Sequence, residues 1–315
     1  MSEATVRPML DADVPAVLEV LRLALGETAL LRRTPDLWNW KHRHNPHGES
    51  LAYVAEVDGQ VAGVRAMMRW DLMTPGGEVL RCLRPVDTAT HPGFGRRGIF
   101  KKLTLTAIDE ATEQGIDLIF NTPNSSSGPG YLKMGWQEVG PIGVMVRPLL
   151  RRGTKVTDQQ APNPEDFFTG AGRPADAAPT DRSPLGLRTP RTPQYFDWRF
   201  SQHPTAKYLR LDQAGQTAFL RPNVRSGRKE VVVSDVIGDQ PAPVVRRAAK
   251  VSRATYLAAW FSPASAERSA AIRGGLIPVP GVRALTLMAR PLRDLPVDVL
   301  DLSNWDISLG DLELL

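Results

Sequence analysis

The chain has 315 residues, of which 42% are hydrophobic and 23% charged. This is the make-up of one large or two ordinary globular domains with a real core. A single cysteine, Cys82, excludes an internal disulfide and a multi-cysteine zinc site. No run approaches the ~20 apolar residues of a membrane span, and residues 1–7 lack the layout of a signal peptide, so a cytoplasmic location is the simplest expectation. The net charge of +5 favours anionic ligands such as nucleotides, phosphates or nucleic acid without choosing among them.

In chain order, Leu10 to Leu25 is predicted to be a helix: Val14, Val17, Leu18, Leu21 and Leu25 form an apolar stripe, Asp11 or Asp13 can cap it, and Gly26 ends it. Leu51–Val57 is predicted to be a strand, turned at Asp58-Gly59 into its partner Gln60–Trp70. Glu78–Ala89 reads as a further strand, Ile99–Gln114 as a helix ended by Gly115, Ile116–Asn121 as a buried strand, Ser127–Met134 as a short helix, and Val139–Val146 as the last strand of a first domain over 1–150. Residues 151–190 are rich in Pro, Gly, Ala, Asp and Thr, interrupted only by Phe167 and Phe168, and read as a linker, part of it expected to be ordered against the first domain.

A second domain is expected over 191–315, because it echoes the first. At an offset of 158, Pro35-Asp36-Leu37-Trp38-Asn39-Trp40-Lys41 matches Pro193-Gln194-Tyr195-Phe196-Asp197-Trp198-Arg199, and the strand Ser50–Val57 matches Lys207–Asp212. At an offset of 140, Thr122-Pro123 matches Ser262-Pro263, and Lys133–Trp136 matches Arg273–Leu276. The shared order of these matches points to duplication. Trp40 and Trp198 are read as core anchors.

The segment Gly93-Phe94-Gly95-Arg96-Arg97-Gly98 joins a strand to an amphipathic helix. Its glycines let backbone approach a ligand. The free amides of the first helical turn and the helix dipole then favour an anion, and Arg96, Arg97, Lys101 and Lys102 add charge. This is a pyrophosphate cradle. It is not the nucleoside-triphosphate loop, and although its glycines fit G-x-G-x-x-G, no acidic residue ends a following strand as a dinucleotide site would want.

On these residues the sequence resembles the GNAT acyltransferase superfamily, whose signature is R/Q-x-x-G-x-G/A at the mouth of a helix. Here it reads Gly95-Arg96-Arg97-Gly98-Ile99-Phe100, with Gly95 in place of Arg or Gln and Phe100 in place of the small residue. The resemblance covers about 4–148 well and about 190–290 weakly. It implies two tandem GNAT-like α/β domains, each a mixed, mostly antiparallel sheet flanked by helices. It also implies acetyl-CoA or another acyl-CoA as donor, bound by Thr88, Ala89 and Thr90 on the strand and by Arg96, Arg97, Gly98, Ile99, Phe100 and Lys101 at the loop. Tyr131-Leu132-Lys133-Met134-Gly135-Trp136 is similar to the superfamily's Y-x-K-x-G-F segment, which gives Tyr131 the role of protonating the leaving thiolate, with Asn124 and Ser126, and less directly Ser125, beside the pantetheine arm.

An amine acceptor must lose a proton. Asp87 is the first candidate for that base, His91 the second, and a water with no single base is equally open. His42, His44 and His47 lie close in sequence, but the echoed positions are not histidines and no metal is expected. Cys82 lacks visible partners for covalent catalysis. Where the second half should carry the cradle, it has Ile237-Gly238-Asp239-Gln240-Pro241-Ala242-Pro243; two prolines remove amide donors and the aspartate repels phosphate. That half is expected to be a degenerate copy. The expected activity is N-acyl transfer to an amine of a small molecule, with antibiotic-modifying and natural-product acetyltransferases as fold-level analogies. The expected partners exclude membrane, and a homodimer stays open. The alternatives are transfer from an aminoacyl-tRNA, which the basic charge would suit, and a non-catalytic CoA-binding regulator.

Overall fold

The computed structural model describes residues 3–28, 30–149, 162–169, 173–174, 183–238, 242–281 and 285–312. They divide into two compact units that interleave along the chain. The first takes the described residues of 1–72, 79–138 and 287–296, and the second takes those of 73–78, 139–286 and 297–315. No helix of the described residues is long and apolar enough to cross a membrane.

The sheet of the first unit runs in the order Thr5–Pro8, Leu51–Val57, Gln60–Arg69, Cys82–Thr90, Leu118–Asn121, Leu285–Pro291, Gln137–Ile142. From the first to the sixth of these strands every pairing is antiparallel except that of Cys82–Thr90 with Leu118–Asn121. Alternation along Leu51–Val57 sends Tyr53, Ala55 and Val57 into one core cluster and Val54 into another. The helix Ile99–Glu113 covers the first cluster with Ile99, Leu103, Ala107, Ile108 and Ala111. The helix Val14–Leu25 covers the second with Val17, Leu18, Val20 and Leu21. Asp13 does not cap that helix. Its Oδ2 accepts the Leu10 N–H at 2.7 Å and closes the turn before it, while the Gly26 N–H ends the helix on the Arg22 carbonyl.

The second sheet runs Arg173–Pro174, Leu209–Gln213, Gln216–Arg225, Arg228–Ile237, Tyr256–Ala259, Met145–Pro148, Ile277–Pro278. Its one parallel pairing falls at the same place, between Arg228–Ile237 and Tyr256–Ala259. The echo in the sequence is therefore an echo in local structure. Thr34 Oγ1 accepts the Leu37 N–H, and 158 residues later Thr192 Oγ1 accepts the Tyr195 N–H. The Trp136 N–H donates to the Tyr131 carbonyl, and 140 residues later the Leu276 N–H donates to the Ala271 carbonyl. Trp40 and Trp198 are buried.

Two expectations change. Val139–Val146 is not one strand: Gln137–Ile142 lies in the first sheet and Met145–Pro148 in the second, while Leu285–Pro291 returns from the second half to the first sheet. Apolar alternation marks a strand but does not say which sheet it joins. Phe167 and Phe168 do not order the connection against the first domain; they are buried in the core of the second unit with Leu220, Val231 and Ala248. The Phe167 carbonyl also accepts the Arg253 N–H. Much of the connection, and Asp239, Gln240 and Pro241 of the turn expected to lack a cradle, lie outside the described residues.

The second unit buries a charged cluster. Asp235 Oδ1 is 2.9 Å from Arg191 Nη2. Burial pushes the Asp235 carboxyl up to about 7; Arg191 pulls it down and Asp311 pushes it further up. The folded chain thus holds a proton that the unfolded chain releases near the ordinary carboxylate range. This stabilising contribution is complete at acid pH and is lost as pH rises through about 7. Asp235→Asn fixes the uncharged form. In thermal unfolding from about pH 5 to about pH 8 the wild type is expected to lose stability relative to that variant.

Candidate active site

The site of the first unit begins with a fault in its sheet. Val64 pairs with Ala89 and Ala66 with Val86, so Arg65 alone faces Asp87 and Thr88. This is a bulge. It is tight enough to hold Asp87 at φ +42°, a conformation that costs a non-glycine residue energy. Cys82–Thr90 pairs with Leu118–Asn121 only at Cys82 and Leu83, after which the strands part. The cavity between them has a volume of about 510 Å³ and is lined by Asp87, Thr88, Ala89, Thr90, Phe100, Asn124, Ser126 and Tyr131, among others. Eight of the expected site residues therefore meet at one cavity. Ser125 does not line it.

The glycine loop leads into the helix Ile99–Glu113 through Gly98, in the left-handed region at φ +71°, where a side chain would be strained. Gly95, Arg96, Arg97, Gly98 and Lys101 are exposed at a helix start whose first amides have no partner within the helix. Ile99 contributes only backbone there, because its side chain is buried in the core. Lys102 leaves the cradle: its Nζ binds Glu3 Oε1 at 2.9 Å and the Ala4 carbonyl at 2.6 Å. Phe100, the departure from the superfamily's small residue, is accommodated by Gly130, since a Cβ on Gly130 would lie 2.9 Å from Phe100 Cε1.

Asn124 Oδ1 accepts the N–H groups of Ser126 and Ser127 at 3.0 and 2.9 Å. This turn presents the run before the helix Gly128–Lys133 and leaves the Asn124 Nδ2 as its remaining donor. Tyr131, on that helix, is 4% exposed. Its ring stands edge-on to Phe100 at 5.5 Å and to Trp136 at 4.9 Å, and its Oη accepts a hydrogen bond from Arg65 Nη1 at 2.7 Å.

Asp87 is not free to act as a simple base. Its carboxylate is 2.8 Å from Arg33 Nη1, 2.7 Å from Lys41 Nζ and 3.0 Å from His42 Nε2. Burial pushes its carboxyl up, but Lys41, His42 and Arg33 together hold it well below the usual carboxylate range. A carboxylate so held takes a proton poorly, and its setting suits a structural counterion. Burial holds the His42 imidazole below the ordinary histidine range against the pull of Asp87, and His42 Nδ1 meets Ser50 Oγ at 2.9 Å. His47 turns elsewhere, 3.5 Å from Asp71. His91 Nδ1 accepts the Gly93 N–H, which makes it a cap of the loop. Cys82 is buried, and burial pushes its thiol well above the ordinary range.

Sequence reading missed Arg33, Lys41 and Arg65. The one signal for Arg65 is that it is the only charge in the otherwise apolar run Val61–Met68.

A parted parallel pair beside a glycine loop at a helix N-terminus defines an acyltransferase fold of the GNAT type. Residues 5–139 match the family model described as an acetyltransferase (GNAT) domain. No curated protein matches the sequence. Solved structures share the fold over most of the chain. A probable N-acyltransferase from Enterococcus faecalis is 10% identical with a TM-score of 0.60, covering 92% of this chain and 73% of its own. Eis1 from Mycobacterium abscessus is 14% identical with a TM-score of 0.56, at the same coverage. A putative acetyltransferase from Pyrococcus horikoshii is 10% identical with a TM-score of 0.55, covering 100% of this chain and 96% of its own.

Proposed function

We propose that the first unit transfers an acyl group from acyl-CoA to an amine of a small molecule. The observation that carries this reading is the junction of three features at one cavity: the parted strand Cys82–Thr90, the start of the helix Ile99–Glu113, and Tyr131. The cavity fits a long, thin ligand, because one wall is strand backbone that pairs with its neighbour only at Cys82 and Leu83, and the loop that carries Arg96 and Arg97 joins this strand to the helix whose Phe100 lines the cavity. CoA supplies a thioester whose carbon the amine attacks, so that a C–N bond forms as the C–S bond breaks and its electron pair goes to sulfur.

The chain's residues do the rest. The cradle amides and Arg96, Arg97 and Lys101 hold the pyrophosphate. Thr88, Ala89 and Thr90 orient the thioester through their main chain, and Asn124 and Ser126 hold the pantetheine arm. Tyr131 gives its proton to the departing sulfur and regains one from solvent, into which the amine sheds its own. The second unit, with Ala271 where the echo would place a tyrosine, is read as a degenerate copy without a donor site of its own.

Native mass spectrometry of the full chain with acetyl-CoA and longer acyl-CoAs tests this. One CoA is expected per chain, with binding weakened at least about tenfold by Arg96→Ala with Arg97→Ala. Two CoA per chain would overturn the account of the second unit, and none would overturn acyl-CoA as the donor.

A further inference from the structure

Arg65 is fully buried, at 0% exposure, yet no carboxylate is among its contacts. Its Nη1 donates to Thr88 Oγ1 at 2.8 Å and to Tyr131 Oη at 2.7 Å. Its Nε and Nη2 are buried and meet no hydrogen-bond partner. The guanidinium carbon instead lies 5.5 Å from the centre of the Phe100 ring and 5.2 Å from that of Tyr131, so the charge is held mainly by aromatic faces. Burying a cation without an anion is expensive, and an apolar side chain of the same length would fill this place more cheaply. The fold keeps the charge at the point where the bulge, the loop helix and the Tyr131 helix meet.

The direction of the hydrogen bonds shows what it achieves there. An arginine only donates, so the Tyr131 oxygen accepts and its own proton must point elsewhere. Thr88 Oγ1 accepts from Arg65 and donates to the Val86 carbonyl at 3.2 Å, and no hydrogen bond joins it to the tyrosine oxygen. Among the described residues nothing accepts it, and Tyr131 lines the cavity.

We propose that Arg65 is a positioning residue for Tyr131: it occupies the phenol oxygen from behind, turns the O–H toward the cavity, and leaves a fixed positive charge beside that oxygen once the proton has passed to the leaving sulfur. The proton moves from Tyr131 oxygen to sulfur, the O–H pair stays on oxygen, and solvent later returns a proton. This rests on the acyl-transfer reading above, whose acceptor and donor it leaves unchanged.

The test is a double-mutant cycle in the full chain with Arg65→Met, Tyr131→Phe and both, reading kcat and the dissociation constant of CoA. Arg65→Met is expected to lower kcat about 10- to 100-fold, as misplacement of a reacting group does, with CoA affinity held within about twofold. In the Tyr131→Phe background the same change is expected to alter kcat by less than about threefold, because its effect runs through the missing hydroxyl. Arg65→Lys keeps the charge but loses the planar guanidinium that stacks on the Phe100 and Tyr131 rings; partial recovery of kcat is expected, and it replaces Arg65→Met in the cycle if the methionine variant does not fold. Equal losses of kcat in both backgrounds, or a parallel loss of CoA affinity, would assign Arg65 to packing and overturn the proposal. A wild-type chain that binds no CoA would overturn the acyl-transfer reading itself; one that binds and turns over, with independent effects of the two residues, would overturn only the role given to Arg65.

Discussion

Replacing Asp87 by alanine is expected to destabilise the first unit by about 3–5 kcal/mol, the usual cost of leaving a buried charge without its partner. Here two cations lose it at once. The side chains of Arg33 and Lys41 are 5% and 4% exposed, so neither can turn to water in place, and His42, 3% exposed, loses the acceptor of its Nε2. The bulge adds a smaller effect in the same direction, because Asp87 sits at φ +42°, which alanine tolerates less well than aspartate. Urea unfolding at neutral pH measures the loss. The pH dependence gives a second check on the same cluster. The Asp87 carboxyl is held below its ordinary range in the fold, so its stabilisation is present above that range and is lost as pH falls through the folded value. His42 is also held below its ordinary range; the unfolded chain takes up the proton first, so stability falls again as pH drops below the ordinary histidine range. Both groups make the wild type sensitive to acid, and the alanine variant is expected to lose the Asp87 part of that sensitivity. An unfolding free energy unchanged in Asp87→Ala would mean that Arg33 and Lys41 draw little from the ion pairs.

The local elements and the glycine loop before the helix were legible because their causes are local. Apolar stripes, the Asp58-Gly59 turn and the glycine run before Ile99 are read within a dozen residues, and the Thr34 and Thr192 caps recur because the same short segment recurs. The cavity residues followed from motif resemblance, since strand, loop and tyrosine helix keep their order. What stayed hidden depends on pairings between distant residues. Asp87 looked like a base because its neighbours in sequence, Val86 and Thr88, say nothing of Arg33 and Lys41, which reach it from 54 and 46 residues away. Arg65 meets Tyr131 across 66 residues, a pairing that neither local sequence announces. Met145–Pro148 and Leu285–Pro291 each look like ordinary strands, and nothing in their alternation tells that they belong to sheets built mostly from the other half of the chain.

Tyr131→Phe removes one oxygen and is expected to lower kcat by about 10²- to 10⁴-fold, the range for losing a positioned acid. The change is nearly isosteric, and the ring's contacts with Phe100 and Trp136 should hold the helix Gly128–Lys133 in place. CoA affinity is therefore expected to stay close to that of the wild type, so that the loss falls on kcat and not on binding. One cost is predictable from the structure: Arg65 Nη1 would lose an acceptor in a buried place, which by itself lowers stability by roughly 1–3 kcal/mol. Stability and rate thus separate two roles of one hydroxyl. If the tyrosine only packs against the donor, the phenylalanine variant should lose that stability while keeping its kcat. If it is the acid, kcat should fall further than any loss of folded protein explains. Steady-state rates with acetyl-CoA, corrected by the fraction of chain competent to bind CoA, distinguish the two, and a kcat within about threefold of wild type after that correction would remove Tyr131 from the chemistry.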